Sequence, residues 1–269
     1  MKVKSYKFKN NDIYIVPMGD LHIGDRCFTK RSEALVQEKI DWVKHTPNAY
    51  IFLMGDLINC ATLSSPSNPL KQDMDLGNQI RKCVSLFRGV ADKILGAIDG
   101  NHELRLDRFS GYSPTISICE QLGIHYFKNS AAVLFRLGCK KTNRRGELNS
   151  PRATFSGYFH HSTGGGSTPG GRLNRADKLR SIVTNVDFYC AAHNHSLSTA
   201  NNIIFRVNET TEKIEEIRQA ILTTGGFLEY SESYAEEKML TPLKMGCPII
   251  HLKVIQGSTE TRKEVEVKI

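Results

Sequence analysis

The chain lacks any apolar run of the roughly 18–20 residues that a membrane-spanning helix requires. No apolar stretch follows its charged start, Met1-Lys2-Val3-Lys4, so no secretory signal is expected. It has no Cys-x-x-Cys pair, and its seven cysteines, Cys27, Cys60, Cys83, Cys119, Cys139, Cys190 and Cys247, are odd in number. That pattern argues against a disulfide framework and against a cysteine zinc site, and it suits a reducing, cytoplasmic compartment. No internal repeat, low-complexity tract or long linker appears, and nothing marks a domain boundary. Residues 1–269 are therefore expected to form one domain.

What is present is ordinary for a globular protein. Hydrophobic residues make up 40% and charged residues 24%, which excludes a disordered, collagen-like or coiled-coil chain. The charge distribution is less even. Lys and Arg outnumber Asp and Glu by 36 to 28, a net +8. Residues 1–10 hold four Lys and no acid. Residues 136–152 hold Arg136, Lys140, Lys141, Arg144, Arg145 and Arg152 against Glu147, and residues 170–182 hold Arg172, Arg175, Lys178 and Arg180 against Asp177. Such clusters serve either a polyanionic partner or a solvated basic surface.

Hydrophobic patterning orders the chain. Ile13–Val16, the apolar run at 50–54 and the run at 93–98 read as buried strands, the last two stopped by Gly-Asp and Asp-Gly. Residues 31–45, 76–95 and 115–122 read as helices. From about residue 124 the pattern turns strand-rich, with candidates at 124–127, 131–137 and 153–159, joined by a basic connecting loop at 138–151. The run 163–171, Thr-Gly-Gly-Gly-Ser-Thr-Pro-Gly-Gly, reads as a loop. A helix at 174–183 and strands at 186–191, 203–207, 214–222 and 248–255 follow. Strands alternating with helices, then more strands, indicate an α/β layered architecture.

Several of these strands end in residues that bind metals. Gly19-Asp20-Leu21-His22 follows the first, Gly55-Asp56 the second and Gly100-Asn101-His102-Glu103 the third. One later strand ends at His160-His161, and another runs into Ala192-His193-Asn194-His195. Six of the nine histidines fall in these motifs, leaving His45, His125 and His251 outside. Singly, each motif is weak, since Gly-Asp marks a turn and His-x-His suits a surface strand. Together they place five strand endings where a layered α/β protein binds ligands. Asp and His supply the oxygen and nitrogen donors of mixed sites for Mn, Fe or Zn. Asp56, on the middle strand, is placed to bridge two ions.

In this order the motifs resemble the calcineurin-like metallophosphoesterase superfamily: Asp-x-His, Gly-Asp, Gly-Asn-His-Asp/Glu, a further His, then Gly-His-x-His. All five elements occur here, across residues 19–195, about two thirds of the chain, with Ala192 where the family usually has Gly. The resemblance implies a layered β-sandwich flanked by helices, an αββα arrangement. It implies two divalent metal ions, Mn first, with Fe, Zn or Ni also accepted. Asp20, His22 and His195 would hold one ion, Asn101, His160 and His193 the other, with Asp56 bridging. His160 is chosen over His161 because relatives with a double His usually use the first. His102 would protonate the leaving oxygen, and Glu103 would orient His102. The implied reaction is phosphoester hydrolysis by direct attack of a metal-bridging hydroxide.

The substrate is set by other residues. Arg105, Arg172 and Asn174 are candidate substrate contacts, the last two at the exit of a glycine-rich active-site loop, 162–175. The segments Gly225–Tyr230, Tyr234–Lys238 and Gly246-Cys247-Pro248 resemble phage or prophage members of the superfamily, which would put the enzyme in a bacterial host cytoplasm. Tyr230 and Tyr234 are candidates for stacking on a base. The expected partner is a phosphate-ester substrate, with DNA or RNA favoured by the basic clusters and no membrane involved. Two alternatives stay open. One is a phosphatase or small-nucleotide phosphodiesterase. The other is a non-catalytic binding module on the same fold, against which His102 and the filled ligand positions argue.

Overall fold

The computed structural model describes residues 3–63, 65, 72–144, 146–164, 166, 168–257 and 261–269. Met1, Lys2, Arg145, Gly165 and Ser167, named within the segments above, lie outside the described residues. In chain order the elements are β1 (Val3–Lys7), β2 (Asp12–Met18), α1 (Lys30–His45), β3 (Ala49–Leu53), α2 (Leu76–Arg88), β4 (Ile94–Ile98), α3 (Asn101–Ser110), α4 (Pro114–Leu122), β5 (Tyr126–Lys128), β6 (Ser130–Leu137), β7 (Lys141–Thr142), β8 (Leu148–Asn149), β9 (Ala153–His160), α5 (Pro169–Asp177), β10 (Phe188–Ala191), β11 (Leu197–Asn208), β12 (Lys213–Thr224), α6 (Tyr234–Glu237), β13 (Ile249–Gln256) and β14 (Thr261–Lys268).

Two six-stranded sheets carry the fold, in the orders β1-β6-β9-β10-β12-β11 and β14-β13-β2-β3-β4-β5. The central strands β4 and β10 are buried at every position, because both faces of each sheet are covered. The inner faces pack on each other: Ile13, Ile15 and Phe52 of one sheet meet Phe135, Phe159, Phe188 and Leu222 of the other. Phe52 stacks on Phe159 across the gap, with ring centroids 4.0 Å apart. Val16, Ile51 and Leu53 face outward and are covered by Val36 and Val43 of α1, Ile80 and Phe87 of α2 and Ile118 of α4. Tyr158, Tyr189 and Ile221 face the other way, onto Ala176 of α5. The result is the layered β-sandwich flanked by helices that the sequence leads one to expect.

Within each sheet the central strands run parallel: β2, β3 and β4 in one, β9, β10 and β12 in the other. Their carboxyl ends therefore collect at one edge of each sheet. No helix among the described residues is long and apolar enough to cross a membrane.

Local details depart from the sequence reading for identifiable reasons. The helix expected over 76–95 ends at Arg88, capped by Gly89. The stretch 163–171 is not all loop: α5 starts at Pro169, because Thr168 accepts from Gly171 N–H and proline suits the first helical turn. The glycine-rich loop is accordingly shorter than 162–175. The connecting segment 138–151 contains the small β7–β8 hairpin. It joins the end of β6 to the start of β9, at Leu137↔Ala153. Seven residues of strand, about 23 Å at ~3.3 Å per residue, separate it from His160. This basic segment lies at the opposite end of the strand from the histidines.

Candidate metal centre

The ends of β2, β3, β4, β9 and β10 come together, and the side chains they deliver form overlapping donor groups. Asp20, His22 and His195 make one group, His22, Asp56 and His102 a second, and Asp56, His161 and His193 a third, with ligand atoms in each within 4.8 Å of one another. Asp56 belongs to two of them. Asn101 joins the third, its Oδ1 3.1 Å from His161 Nε2.

The backbone is bent to achieve this. Asp20, His22, Asp56, His193 and His195 all have positive φ, between 49° and 80°. Non-glycine residues rarely adopt that region, and each instance costs on the order of 1–3 kcal/mol. Such turns swing each side chain off its strand direction and into a common space. Two glycines let the loops touch. Gly55, at φ 81°, has Gly100 N only 2.2 Å from where a Cβ would stand, and a Cβ on Gly100 would lie 2.0 Å from Asp56 Oδ1.

Hydrogen bonds fix the orientation of each group. Asp20 Oδ2 accepts from His193 N–H at 3.0 Å and from Thr224 Oγ1 at 3.5 Å. Asp56 Oδ1 accepts from His102 N–H at 2.9 Å. His102 Nδ1 sits 2.6 Å from the carbonyl of Asn59. A carbonyl only accepts, so Nδ1 carries the hydrogen and Nε2 is left to work. The same logic holds for His161, whose Nδ1 is 2.7 Å from Met54 O.

The sequence-derived choice of His160 is corrected here. His160 and His161 point to opposite faces, as successive residues of an extended strand must. His161 is buried, with Nε2 3.2 Å from Asp56 Oδ2. His160 turns outward, its Nδ1 accepting from Ser162 N–H at 2.7 Å. The role expected of Glu103 is corrected as well. Its carboxylate does not meet His102. It accepts from the N–H groups of Asp56 at 2.9 Å, Leu57 at 2.7 Å, Ile58 at 3.3 Å and Gly100 at 3.0 Å. It clamps the turn after β3 to the turn after β4 and closes the capping box of α3. His102 is oriented instead by Asn59 and Asp56.

The residues present fit divalent cations. Asp20 Oδ1 is fully buried and has no hydrogen-bond partner. It lies 3.5 Å from His195 Nε2, which in turn is 3.2 Å from His22 Nε2. Unprotonated ring nitrogens this close to each other and to a carboxylate oxygen repel unless a positive charge sits among them. His161 Nε2 faces two oxygens, Asp56 Oδ2 at 3.2 Å and Asn101 Oδ1 at 3.1 Å. The titration behaviour reflects this crowding. Burial pushes Asp20 up to about 7 and holds His193 and His195 down at about 4. Burial also opposes charge on His161, but the Asp56 carboxylate outweighs it and pushes His161 up to about 10. Burial works against the Asp56 charge too, yet His161 and His102 hold its carboxyl well below the usual range.

The expected substrate contacts fall differently. Arg105 lies one turn after His102 on α3, half-buried, its Nη1 donating to Ser65 Oγ at 2.9 Å. Its charge contributes to holding His193 down. Arg172 is 4% exposed and its Nε donates to Gly166 O at 2.8 Å, so it braces the glycine-rich segment from within. Asn174 is exposed on α5. Tyr234, on α6, is 44% exposed, and Lys238 Nζ stands 5.8 Å from its ring centroid. Thr224 was missed in the sequence reading. Its signal is the same as the others: an apolar strand, β12, ending in Thr223-Thr224-Gly225-Gly226 beside the parallel strand ends. Phe227 N–H, just beyond, donates to Asp20 O at 3.1 Å.

No protein-family model and no curated protein matches the chain. Among solved structures the chain resembles one titled "Structure of Vacuolar Protein Sorting 29 from Cryptosporidium Parvum". The TM-score is 0.39 and the identity 11%, over 96% of this chain and 99% of that one.

Proposed function

We propose that the chain is a dinuclear-metal phosphoesterase of the calcineurin-like metallophosphoesterase superfamily, acting on phosphodiesters of nucleic acid. One observation carries the reading: Asp56 groups with His161 and His193 on one side and, on the other, with His102 and with His22, which itself groups with Asp20 and His195. Asp20, His22 and His195 would hold one ion and Asn101, His161 and His193 the other, with Asp56 common to both. When bound, two such ions supply Lewis acidity, acidifying water and neutralising phosphate charge.

The chain's own groups do the rest. Asn59 O holds Nδ1–H of His102 and turns Nε2 toward the leaving oxygen; in the doubly protonated ring Nε2 carries the proton that is given up, leaving the neutral Nδ1–H tautomer. Glu103 keeps Asp56 and the start of α3 in register through backbone amides. Arg105, one turn after His102 and bonded to Ser65, would meet a phosphate oxygen. Arg175 stands over the glycine-rich segment, with its Nη2 3.5 Å from where a Cβ on Gly164 would be. These two guanidinium groups and the net +8 support a polyanionic substrate. The basic segment 138–151 does not, because it lies at the far end of β9.

The test is hydrolysis of bis-p-nitrophenyl phosphate and p-nitrophenyl phosphate with added Mn²⁺, followed by DNA and RNA across a salt series. Diester cleavage lost in His102→Ala, with nucleic-acid affinity falling steeply as salt rises, is the expected result. Monoester cleavage alone would overturn the diester assignment.

A further inference from the structure

The hairpin β11–β12 extends well beyond the sheet that anchors it. β12 pairs with β10 only through Ala220–Thr223. From Asn202↔Gln219 to Asn208↔Lys213 it pairs only with β11. A two-stranded ribbon is at best marginal in water unless a face is covered. The face that continues from Ile221 toward α5 is partly covered: Ile204 and Ile217, paired on it, are half-buried, and Gln219 Nε2 donates to Val186 O at 2.8 Å. The opposite face, which continues from Ala220 and Leu222 past the sandwich, is not.

That uncovered face is apolar. Ile203, Phe205, Val207 and Ile214 are 57%, 72%, 67% and 70% exposed. They share one side of the ribbon, since 203, 205 and 207 alternate and Val207 pairs with Ile214. The other side carries Asn202, Arg206 and Asn208 and, between them, Ile204 paired with the half-buried Ile217. Apolar residues thus stand on both sides of the ribbon, and on the side of Phe205 they are left in solvent, where a strand with one solvated face would place polar ones. A contiguous exposed apolar patch of this kind marks an interaction surface.

The charges on the patch identify its occupant. Phe205 pairs with Glu216 and Ile203 with Arg218, so an acid and a base stand two residues apart on the same face. They bond each other at 2.9 Å. Between residues 201 and 218 three bases, Arg206, Lys213 and Arg218, meet four acids, Glu209, Glu212, Glu215 and Glu216, in a chain of net +8. A polyanion would select the opposite balance. A patch with one charge of each sign beside an apolar row is self-complementary, as a two-fold interface requires.

We propose that the exposed apolar face of the β11–β12 hairpin is a homodimer interface. A two-fold axis lying in the plane of that face, perpendicular to β12 at the level of residue 217, sets Glu216 of one copy against Arg218 of the other, twice, with the apolar side chains buried between. The donor cluster lies at the hairpin's base, next to Leu197, and stays open.

Light scattering with size-exclusion chromatography tests this. The wild type is expected at twice the chain's 30.2 kDa. Phe205→Glu is expected at the monomer mass with an unchanged circular dichroism spectrum. Arg218→Glu should weaken the dimer by setting like charges together, and Arg218→Glu combined with Glu216→Arg should restore it. A monomeric wild type would overturn the proposal, as would a dimer indifferent to Phe205→Glu or a double variant that fails to recover.

Discussion

Glu103 Oε2 holds the backbone N–H of Asp56 at 2.9 Å, so the central carboxylate of the cluster is positioned through its main chain. The same carboxylate holds three further amides, and all four donors are buried with it. Glu103→Gln replaces one acceptor oxygen with an NH₂ group facing those donors. Leaving buried amides unsatisfied costs about 1–3 kcal/mol, so the melting temperature should fall. Metal affinity should fall by about 10–100-fold, as for other groups that orient ligands. The pH profile of any residual activity should stay unchanged, because Glu103 does not touch His102. A variant with wild-type stability and a shifted pH profile would contradict this placement.

The paired histidines give a cleaner contrast. His161→Ala should lose bound metal, measured as metal per chain after desalting. His160→Ala should retain it, because His160 faces away from the cluster. The reverse result would return the ligand role to His160.

How far the site was legible in the sequence follows from these two cases. Asp20, His22, Asp56, Asn101, His193 and His195 were readable because each follows a buried apolar strand, and parallel strands end together. The choice within His160-His161 was not, because it depends on where β9 ends relative to Met54, and a shift of one residue reverses the face. Glu103 looked like a partner of its neighbour His102. As the third residue of α3 it instead reaches back to Gly100, a capping signal that the metal motif obscured. Of the fold, the apolar strands and α1 were clear. β1 and β14 are partly solvated sheet edges and give little apolar signal.

Gly100 has no room for a side chain. In Gly100→Ala the new Cβ would meet Asp56 Oδ1 at 2.0 Å. The turn must then move, at about 1–3 kcal/mol for overpacking. Thermal melts should show the loss, and metal titration should show weaker binding at the same time. Wild-type values in both would mean the two turns are not in contact.

His102→Ala separates proton transfer from metal binding. Metal content should be unchanged while kcat falls by about 10²–10⁴-fold. The loss should be larger for an alkyl leaving group than for p-nitrophenolate, which needs less protonation. Equal losses for both would argue against a proton donor at this position.

The most direct measurement is Mn²⁺ binding by calorimetry, with elemental analysis of the loaded protein. Two ions per chain are expected in the wild type, falling to one or none in Asp56→Ala, the carboxylate shared by both donor sets. A wild type that binds no divalent ion, or an Asp56→Ala variant that binds two, would contradict a dinuclear centre.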